Sequence, residues 1–220
     1  MKRRSVAGTG MTSERTRERM IGRLCEMGIT DERVLGALRT VPRHIFVDEA
    51  LASRAYDDDA LPIGFAQTIS QPYTVARMTQ ALIEQGVPGK VLEVGTGCGY
   101  QAAILATLVK QVYSVERVAA LMKIARSHFM ALGIRNVRLK HGDGYAGWVD
   151  YAPYEAIMVT AAAPDVPHDL LNQLAPGGRL LMPIGAAGRQ RLCLVTRKSS
   201  GCVRRFLDEV NFVPLLAGNA

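Results

Sequence analysis

The sequence predicts an α/β fold: a doubly wound, mostly parallel sheet of seven strands with a helical N-terminal extension. Three observations carry this. Residues 12–51 place apolar side chains at helical spacing and contain no strand-like run. From Lys90 onward, short apolar runs alternate with amphipathic stripes. Those runs are apolar on both sides, as in strands covered on both faces, and the stretches between them suit helical crossovers. At 220 residues the chain can bury the core of one domain. That domain is expected to span residues 12–220, with 12–73 a helical and loop subdomain and 74–220 the wound core. Residues 1–11 are expected to be a disordered basic extension.

Taken in order, Thr12 or Ser13 can cap a first helix with Met20, Leu24 and Met27 on one side, ended by Gly28. Thr30-Asp31 caps a second, whose Val34, Leu35 and Leu38 share a face before Val41-Pro42 stops it. Residues 52–73 read as irregular. Thr74 opens a helix carrying Val75, Met78, Ala81, Leu82 and Gln85, closed by Gly86. Lys90–Val94 is then a strand, Tyr100–Leu108 a helix and Val112–Val115 a second strand. Val118, Leu121, Met122, Ala125, Phe129 and Leu132 form a long amphipathic stripe. Val137–Leu139 and Ala156–Thr160 make strands three and four, and Asp169–Leu174 a helix ended by Pro176-Gly177-Gly178. Arg179–Pro183, Leu192–Thr196 and Phe206–Val213 complete the seven.

The formal charge of +7 suggests a nucleic-acid partner only at first sight. Residues 1–19 hold six of the cations against two acids, so more than half of the excess sits at one end. A basic terminus is the simpler reading than a nucleic-acid surface. No apolar run approaches the ~20 residues that cross a bilayer, and residues 1–10 lack the apolar core of a secretory signal. Cys25, Cys98, Cys193 and Cys202 form no CxxC pair and no metal spacing with the histidines, so reduced thiols in a cytoplasmic protein are expected, with no metal.

The strongest motif is Glu93-Val94-Gly95-Thr96-Gly97-Cys98-Gly99-Tyr100, directly after a strand and before a helix. Glycines at 95 and 97 let the backbone turn tightly and approach a ligand, and the amides at the following helix start can meet an anionic group. Dinucleotide sites carry G-x-G-x-x-G, whereas here Tyr100 stands where the third glycine belongs. With an acid two residues before the first glycine, the turn resembles the S-adenosylmethionine site of Rossmann-like methyltransferases. That resemblance implies that the cofactor's amino-acid end crosses Gly95, Thr96, Gly97 and Gly99. Glu116, ending strand two 17 residues beyond Gly99, can accept hydrogen bonds from both ribose hydroxyls. Gly142-Asp143-Gly144, after strand three, offers Asp143 and Gly144 to the adenine amino group. Alone, Glu116 could be a solvated strand end and Asp143 an Asx turn; their order after the glycine turn favours S-adenosylmethionine, with S-adenosylhomocysteine as product.

The methyl acceptor is narrowed by what surrounds strand four. Enzymes that methylate base nitrogens hold an extruded base with an Asn/Asp-Pro-Pro-aromatic segment. Here the strand runs into Thr160-Ala161-Ala162-Ala163-Pro164, without clamp or aromatic platform. Upstream, Gly64-Phe65-Ala66-Gln67-Thr68-Ile69-Ser70-Gln71-Pro72 carries no charge and no general base. A carboxylate acceptor needs no base, because with an unperturbed pKa of about 4 it is already ionised. A neutral hydroxyl can orient one of its oxygens and leave the other free.

Val41-Pro42-Arg43-His44-Ile45-Phe46-Val47, Ala55-Tyr56-Asp57, Leu61-Pro62-Ile63-Gly64 and Gln67-Thr68-Ile69-Ser70-Gln71-Pro72 resemble the protein-L-isoaspartate O-methyltransferase family. So do Val91–Tyr100, Gly142-Asp143-Gly144, Thr160–Pro164, Leu174–Gly178 and Phe212-Val213-Pro214-Leu215. The likeness spans about residues 12–217. It implies methylation of the free α-carboxylate of L-isoaspartyl residues in aged proteins, whose ester then collapses to a succinimide and reopens partly to aspartate. It assigns Ser70 as the active-site serine. Gln67, Thr68, Ile69 and Ser70, with Val213 and Pro214, would bind the substrate, the segment Phe212–Leu215 lying against the peptide through its backbone, and Ile63–Ser70 would help cover cofactor and substrate. Cys98, where a serine is common, and the variable pair Phe65-Ala66 are mild departures. His44 is expected to pack or cap rather than act as a base, Cys98 to be a small packed thiol, and Trp148 a hydrophobic anchor. The resemblance implies isoaspartyl proteins and peptides as partners, no nucleic acid, no membrane, and a monomer. Two further functions fit less well: a methyltransferase of RNA or a small molecule, and a cofactor-binding module without catalysis.

Overall fold

The computed structural model describes residues 8–220. Residues 1–7 of the basic extension lie outside the described residues; Gly10–Thr12 already forms a turn of 3-10 helix. Helices α1 (Glu14–Glu26) and α2 (Glu32–Thr40) follow, then a hairpin, β1 (Leu61–Gly64) with β2 (Gln67–Ile69), then α3 (Pro72–Ile83). The remainder runs β3 (Lys90–Val94), α4 (Tyr100–Leu108), β4 (Gln111–Glu116), α5 (Ala119–Leu132), β5 (Val137–His141), β6 (Tyr154–Val159), α6 (His168–Asn172), β7 (Leu174–Ile184), β8 (Gln190–Lys198) and β9 (Gly201–Val210).

The seven-stranded sheet has the order β5-β4-β3-β6-β7-β8-β9. Neighbours from β5 to β7 pair in parallel, and β8 alone runs against the others. Successive residues of one strand point to opposite faces, and two apolar clusters fill those faces. Val91, Met158, Leu181 and Leu194 join the inner sides of α1, α2, α3 and α4 in one. Leu92, Ile157, Leu180 and Cys193 join Leu170 of α6 in the other. The second face carries little helix. Residues 142–153 contain Gly142, Gly144, Gly147 and Pro153, which resist helix, and the partly buried rings of Tyr145, Trp148 and Tyr151 cover that face instead. Trp148 is the anchor its sequence position suggests, packed edge-on at 5.6 Å from the Tyr113 ring.

Several boundaries move for local reasons. The stretch 52–73 is not wholly irregular, because Leu61, Pro62 and Gly64 pair with Ile69, Thr68 and Gln67 across a two-residue turn. Helix α3 starts at Pro72, a residue suited to the first helical position, and stops before the exposed Gln85. Met27 lies in the turn that ends α1 and is exposed rather than facing the core. Helix α6 closes at Asn172, and β7 begins at Leu174, which pairs with Tyr154; Pro176-Gly177-Gly178 then interrupts the register rather than ending a helix. Strand β9 starts at Gly201, five residues before the expected strand, because it turns directly out of β8. It holds an extra residue between Phe206 and Glu209 relative to its partner.

One buried cation ties the N-terminal part to the wound core. Arg43 is fully buried and donates to the carbonyls of Ala55 (2.8 Å) and Asp59 (3.2 Å). Its guanidinium lies 5.0 Å from the centre of the Tyr100 ring at the start of α4, a cation–π contact that gains strength where water is excluded. Burial pushes its pKa below the usual arginine value. His44 meets the Tyr56 hydroxyl through Nδ1 at 2.8 Å, so it is a packed core residue.

Gly99 shows how tightly α4 is seated. Its φ of 93° is left-handed, and a Cβ there would lie 2.8 Å from the Phe129 ring and 3.1 Å from the Ala125 methyl. Gly99→Ala combines backbone strain with overpacking, each worth about 1–3 kcal/mol. The expected result is a melting temperature lowered by at least about 4 °C, read by thermal denaturation.

Candidate active site

Strand order reverses between β3 and β6: chain order leads outward from β3 through β4 to β5, and outward from β6 through β7. Ligands of open α/β sheets bind at this switch point, beyond the carboxyl ends of the strands. Here the two ends are bonded directly. Thr160 N donates to the Val94 carbonyl (2.9 Å) and its hydroxyl to the Gly95 carbonyl (2.7 Å). Gly95, at φ 97°, leaves no room for a side chain, since a Cβ would stand 2.3 Å from Thr160 Oγ1.

The glycine turn is then fixed by its neighbours. Gly95 N donates to the Val115 carbonyl and Gly99 N to the Thr96 carbonyl. Glu116 Oε2 accepts from Gly97 N at 2.7 Å, and its Oε1 accepts from Val118 N at 2.9 Å. An ionised carboxylate offers about four acceptor sites, so two remain for hydroxyl donors. Beneath the turn, the Thr96 hydroxyl meets Ser114 Oγ at 2.6 Å, and Ser114 donates to Glu93 Oε2. Glu93 is fully buried and its Oε1 has no partner. Loss of hydration pushes its pKa up to about 8, against the lowering effect of the Ser114 hydrogen bond and helped by the nearby Glu116 charge. Cys98 is buried, and the same effect pushes its thiol up to about 11, which leaves it unreactive.

The other wall comes from the C-terminal segment. Val213 and Leu215 bond to both sides of Ala162 through backbone groups. Asp143 accepts from Tyr145 N (2.8 Å) and Gly218 N (2.7 Å). A Cβ on Gly144 would strike Val94 Cγ1 at 2.6 Å, so the turn after β5 lies flat against β3.

The β1–β2 hairpin forms the cover. An extra residue in β1 between Pro62 and Gly64 turns Ile63 toward the glycine turn, where its Cδ1 stands 3.3 Å from where a Gly97 Cβ would be. The two central residues, Phe65 and Ala66, both have φ 54°. Such turns normally use Asn-Gly; for a residue with a Cβ the left-handed region costs about 1–2 kcal/mol. Ser70 is half-buried, and its hydroxyl makes no hydrogen bond to another described residue. It is held from the next residues on: Gln71 Nε2 donates to the Asp58 carbonyl (2.9 Å), and Tyr73 N to Asp58 Oδ1 (2.8 Å).

Together these elements border an open cleft, placed where small-molecule sites of such sheets occur. Of the residues expected to hold the cofactor, Gly95, Gly97, Glu116 and Gly144 line it. Thr96 and Gly99 support the turn from below, and Asp143 fixes the tail. Of the expected substrate residues, Gln67, Thr68, Val213 and Pro214 line it, while Ile69 is buried and the half-buried Ser70 is not among its lining residues. Ile63 and Leu215, from the expected covering loop and C-terminal segment, line it as well, whereas sequence reasoning passed over Arg117, Val118, Thr160, Ala161 and Leu216. Thr160 alone carried a usable signal, standing at the carboxyl end of a central strand. Asp58, the anchor beside Ser70, carried none.

A family model described as protein-L-isoaspartate(D-aspartate) O-methyltransferase matches residues 15–220. A relative from Halorhodospira halophila, named protein-L-isoaspartate O-methyltransferase, is 57% identical over 218 residues, covering 99% of both chains. One of the same name from Pseudomonas syringae pv. tomato is 57% identical over 94% of this chain and 99% of its own. The chain belongs to this family. Among solved structures, a protein-L-isoaspartate O-methyltransferase superposes with a TM-score of 0.82 at 32% identity, covering 92% of this chain and 66% of that longer one. One from Plasmodium falciparum, in complex with S-adenosyl-L-homocysteine, gives 0.80 at 27% identity over 91% and 98%. This family member thus has the Rossmann-like fold of S-adenosylmethionine-dependent methyltransferases and is a protein carboxyl methyltransferase.

The raised Glu93 pKa has a measurable consequence in the isoaspartate methyltransferase fold. Between about pH 4.5 and 8 the folded chain keeps a proton that the unfolded chain releases, so stability is present below that window and falls as pH rises through it. Glu93→Gln removes this titration. The melting temperature of the unaltered protein is expected to fall by at least about 4 °C more than that of the variant between about pH 5 and about pH 8. Parallel curves would show that Glu93 is ionised throughout.

Proposed function

We propose that this chain transfers a methyl group from S-adenosylmethionine to the α-carboxylate of L-isoaspartyl residues in proteins and peptides, starting their repair. The observation that carries the reading is the full-length family likeness joined to a cleft whose covering hairpin bears no charge and no base. The residues fit the cofactor by their own chemistry. Gly95, Gly97 and Gly144 are points where a side chain would collide or crowd, and Glu116 retains acceptor capacity at the end of β4. When bound, S-adenosylmethionine supplies a methyl group on a positively charged sulfur.

In this reading the protein aligns and dehydrates. Glu116 accepts from the ribose hydroxyls while its other lone pairs keep Gly97 and Val118 in place. Gly144 would leave room for the adenine, in the turn that Asp143 holds through Tyr145 N and Gly218 N. Thr96 and Gly99 keep the turn shaped for the amino-acid end. Ser70, with a free hydroxyl, orients one oxygen of the incoming carboxylate, and Gln67, Thr68 and Ile69 shape the hairpin beside it. Val213 and Pro214 supply the surface along which the substrate backbone runs. The acceptor is anionic at neutral pH, so positioning, worth up to ~7–11 kcal/mol, replaces proton abstraction. The reading requires no metal. It places the enzyme in the cytoplasm as a monomer, in keeping with four unpaired cysteines. Residues 12–73 then serve as the covering subdomain of a single domain.

A labelled-methyl transfer assay on one peptide in its aspartyl and isoaspartyl forms tests the function, with incorporation expected only in the second. Labelling of RNA instead, with steep salt dependence, would establish the rival reading. Ser70→Ala should lower kcat/KM on the isoaspartyl peptide roughly 10–100-fold, the range for a hydrogen bond to a charged group, with cofactor affinity within about twofold. Glu116→Ala should raise the cofactor dissociation constant at least roughly tenfold in a calorimetric titration; equal affinity would remove it from the ribose site.

A further inference from the structure

Phe65 and Ala66 are the two non-glycine residues with positive φ among the described residues. They are adjacent, and they form the tip of the hairpin that covers the cleft. Nothing within the fold accounts for a phenylalanine there. The residue is 56% exposed, so burial does not offset the strained backbone, and a long 3.4 Å hydrogen bond from Gln67 Nε2 is the side-chain bond that reaches its carbonyl. Strain of this kind persists where the surrounding structure enforces it, and it clusters where ligands bind.

The position gives the ring its use. Ile63 before the tip and Gln67 and Thr68 after it all line the cleft, so the exposed Phe65 is carried on a segment whose two sides border it. Leu216, from the C-terminal segment, lines the same cleft and is also exposed at 46%. An isoaspartyl residue within a protein is flanked by further residues, and those must pass over this rim. We propose that Phe65 is a substrate-binding residue, presented by the strained turn to pack against an apolar side chain next to the isoaspartyl residue. This rests on the function proposed above. It makes the hairpin a selector among damaged sites: those beside leucine-like residues are preferred over those beside small polar ones. An aromatic side chain suits the task, because it presents a large rigid apolar surface with few rotatable bonds.

The experiment compares isoaspartyl peptides that differ only in carrying leucine or serine at the two flanking positions, with the unaltered protein, Phe65→Ser and Ala66→Gly. The unaltered protein is expected to show a KM about fivefold lower for the leucine peptide. Phe65→Ser should bring the two KM values within about twofold by raising that of the leucine peptide, with the cofactor dissociation constant held. Ala66→Gly relieves the backbone while keeping the ring, so it should retain the preference and melt about 2–4 °C higher. Equal KM values for the unaltered protein, or a preference that survives Phe65→Ser, would overturn the proposal. If the unaltered protein methylates neither peptide, the function itself is wrong and this inference falls with it. Methylation of both without preference strikes at Phe65 alone.

Discussion

The site depends on one close approach: the carboxyl ends of β3 and β6 are held together by Thr160, whose hydroxyl occupies the space a side chain at residue 95 would need. That contact closes the bottom of the crevice and forces the chain at Gly95 into a left-handed turn. Gly97 and Gly99 complete the reversal, and α4 can begin only where Phe129 of α5 permits it. Residues far apart in sequence therefore have one joint solution, and the cleft is what remains above it. Glu116 belongs to the same solution, since it bonds the turn and the start of α5 at once.

Charge is distributed around this crevice with some economy. Three carboxylates surround it, and each is engaged differently. Glu93 is buried without a counter-cation, and loss of hydration there favours its neutral form. Glu116 remains an acceptor but faces backbone donors. Asp143 is turned toward the tail. The covering hairpin is neutral, and the charged side chains that line the cleft, Glu116 and Arg117, stand on the opposite wall at the end of β4. Arg43, the buried cation nearest to α4, is spread over the Tyr100 ring and two carbonyls rather than offered to the cleft.

The sequence revealed the parallel core well and the cover poorly, for physical reasons. Strands such as Val91–Val94 and Ile157–Val159 are apolar on both sides, and helices α1, α2 and α5 show their periods plainly, so length and pattern decide them. The glycine turn and Glu116 were legible because backbone freedom and a strand-end acid leave direct marks on composition. The hairpin at residues 61–69 left almost none: its strands are three and four residues long, and its turn uses Phe-Ala in place of the residues that usually announce one. The junction at Leu174–Gly178 misled because Pro-Gly-Gly normally ends a helix, whereas here it kinks a strand that has already paired. The anchoring by Asp58 and the occupation of Asp143 by Gly218 depend on tertiary contacts across 15 and 75 residues, distances over which no local pattern reports.

Strand β9 ends the sheet, and among the described residues its far side carries no further strand. Its ladder is broken by the extra residue between Phe206 and Glu209, and Arg204 and Arg205 project from it into ion pairs with Asp165 and Glu84. A kinked border bearing charges of both signs is a poor template for adding another strand. Polypeptides with damaged backbones tend to expose unpaired stretches, and such a border lets an enzyme work among them without being captured by the material it handles.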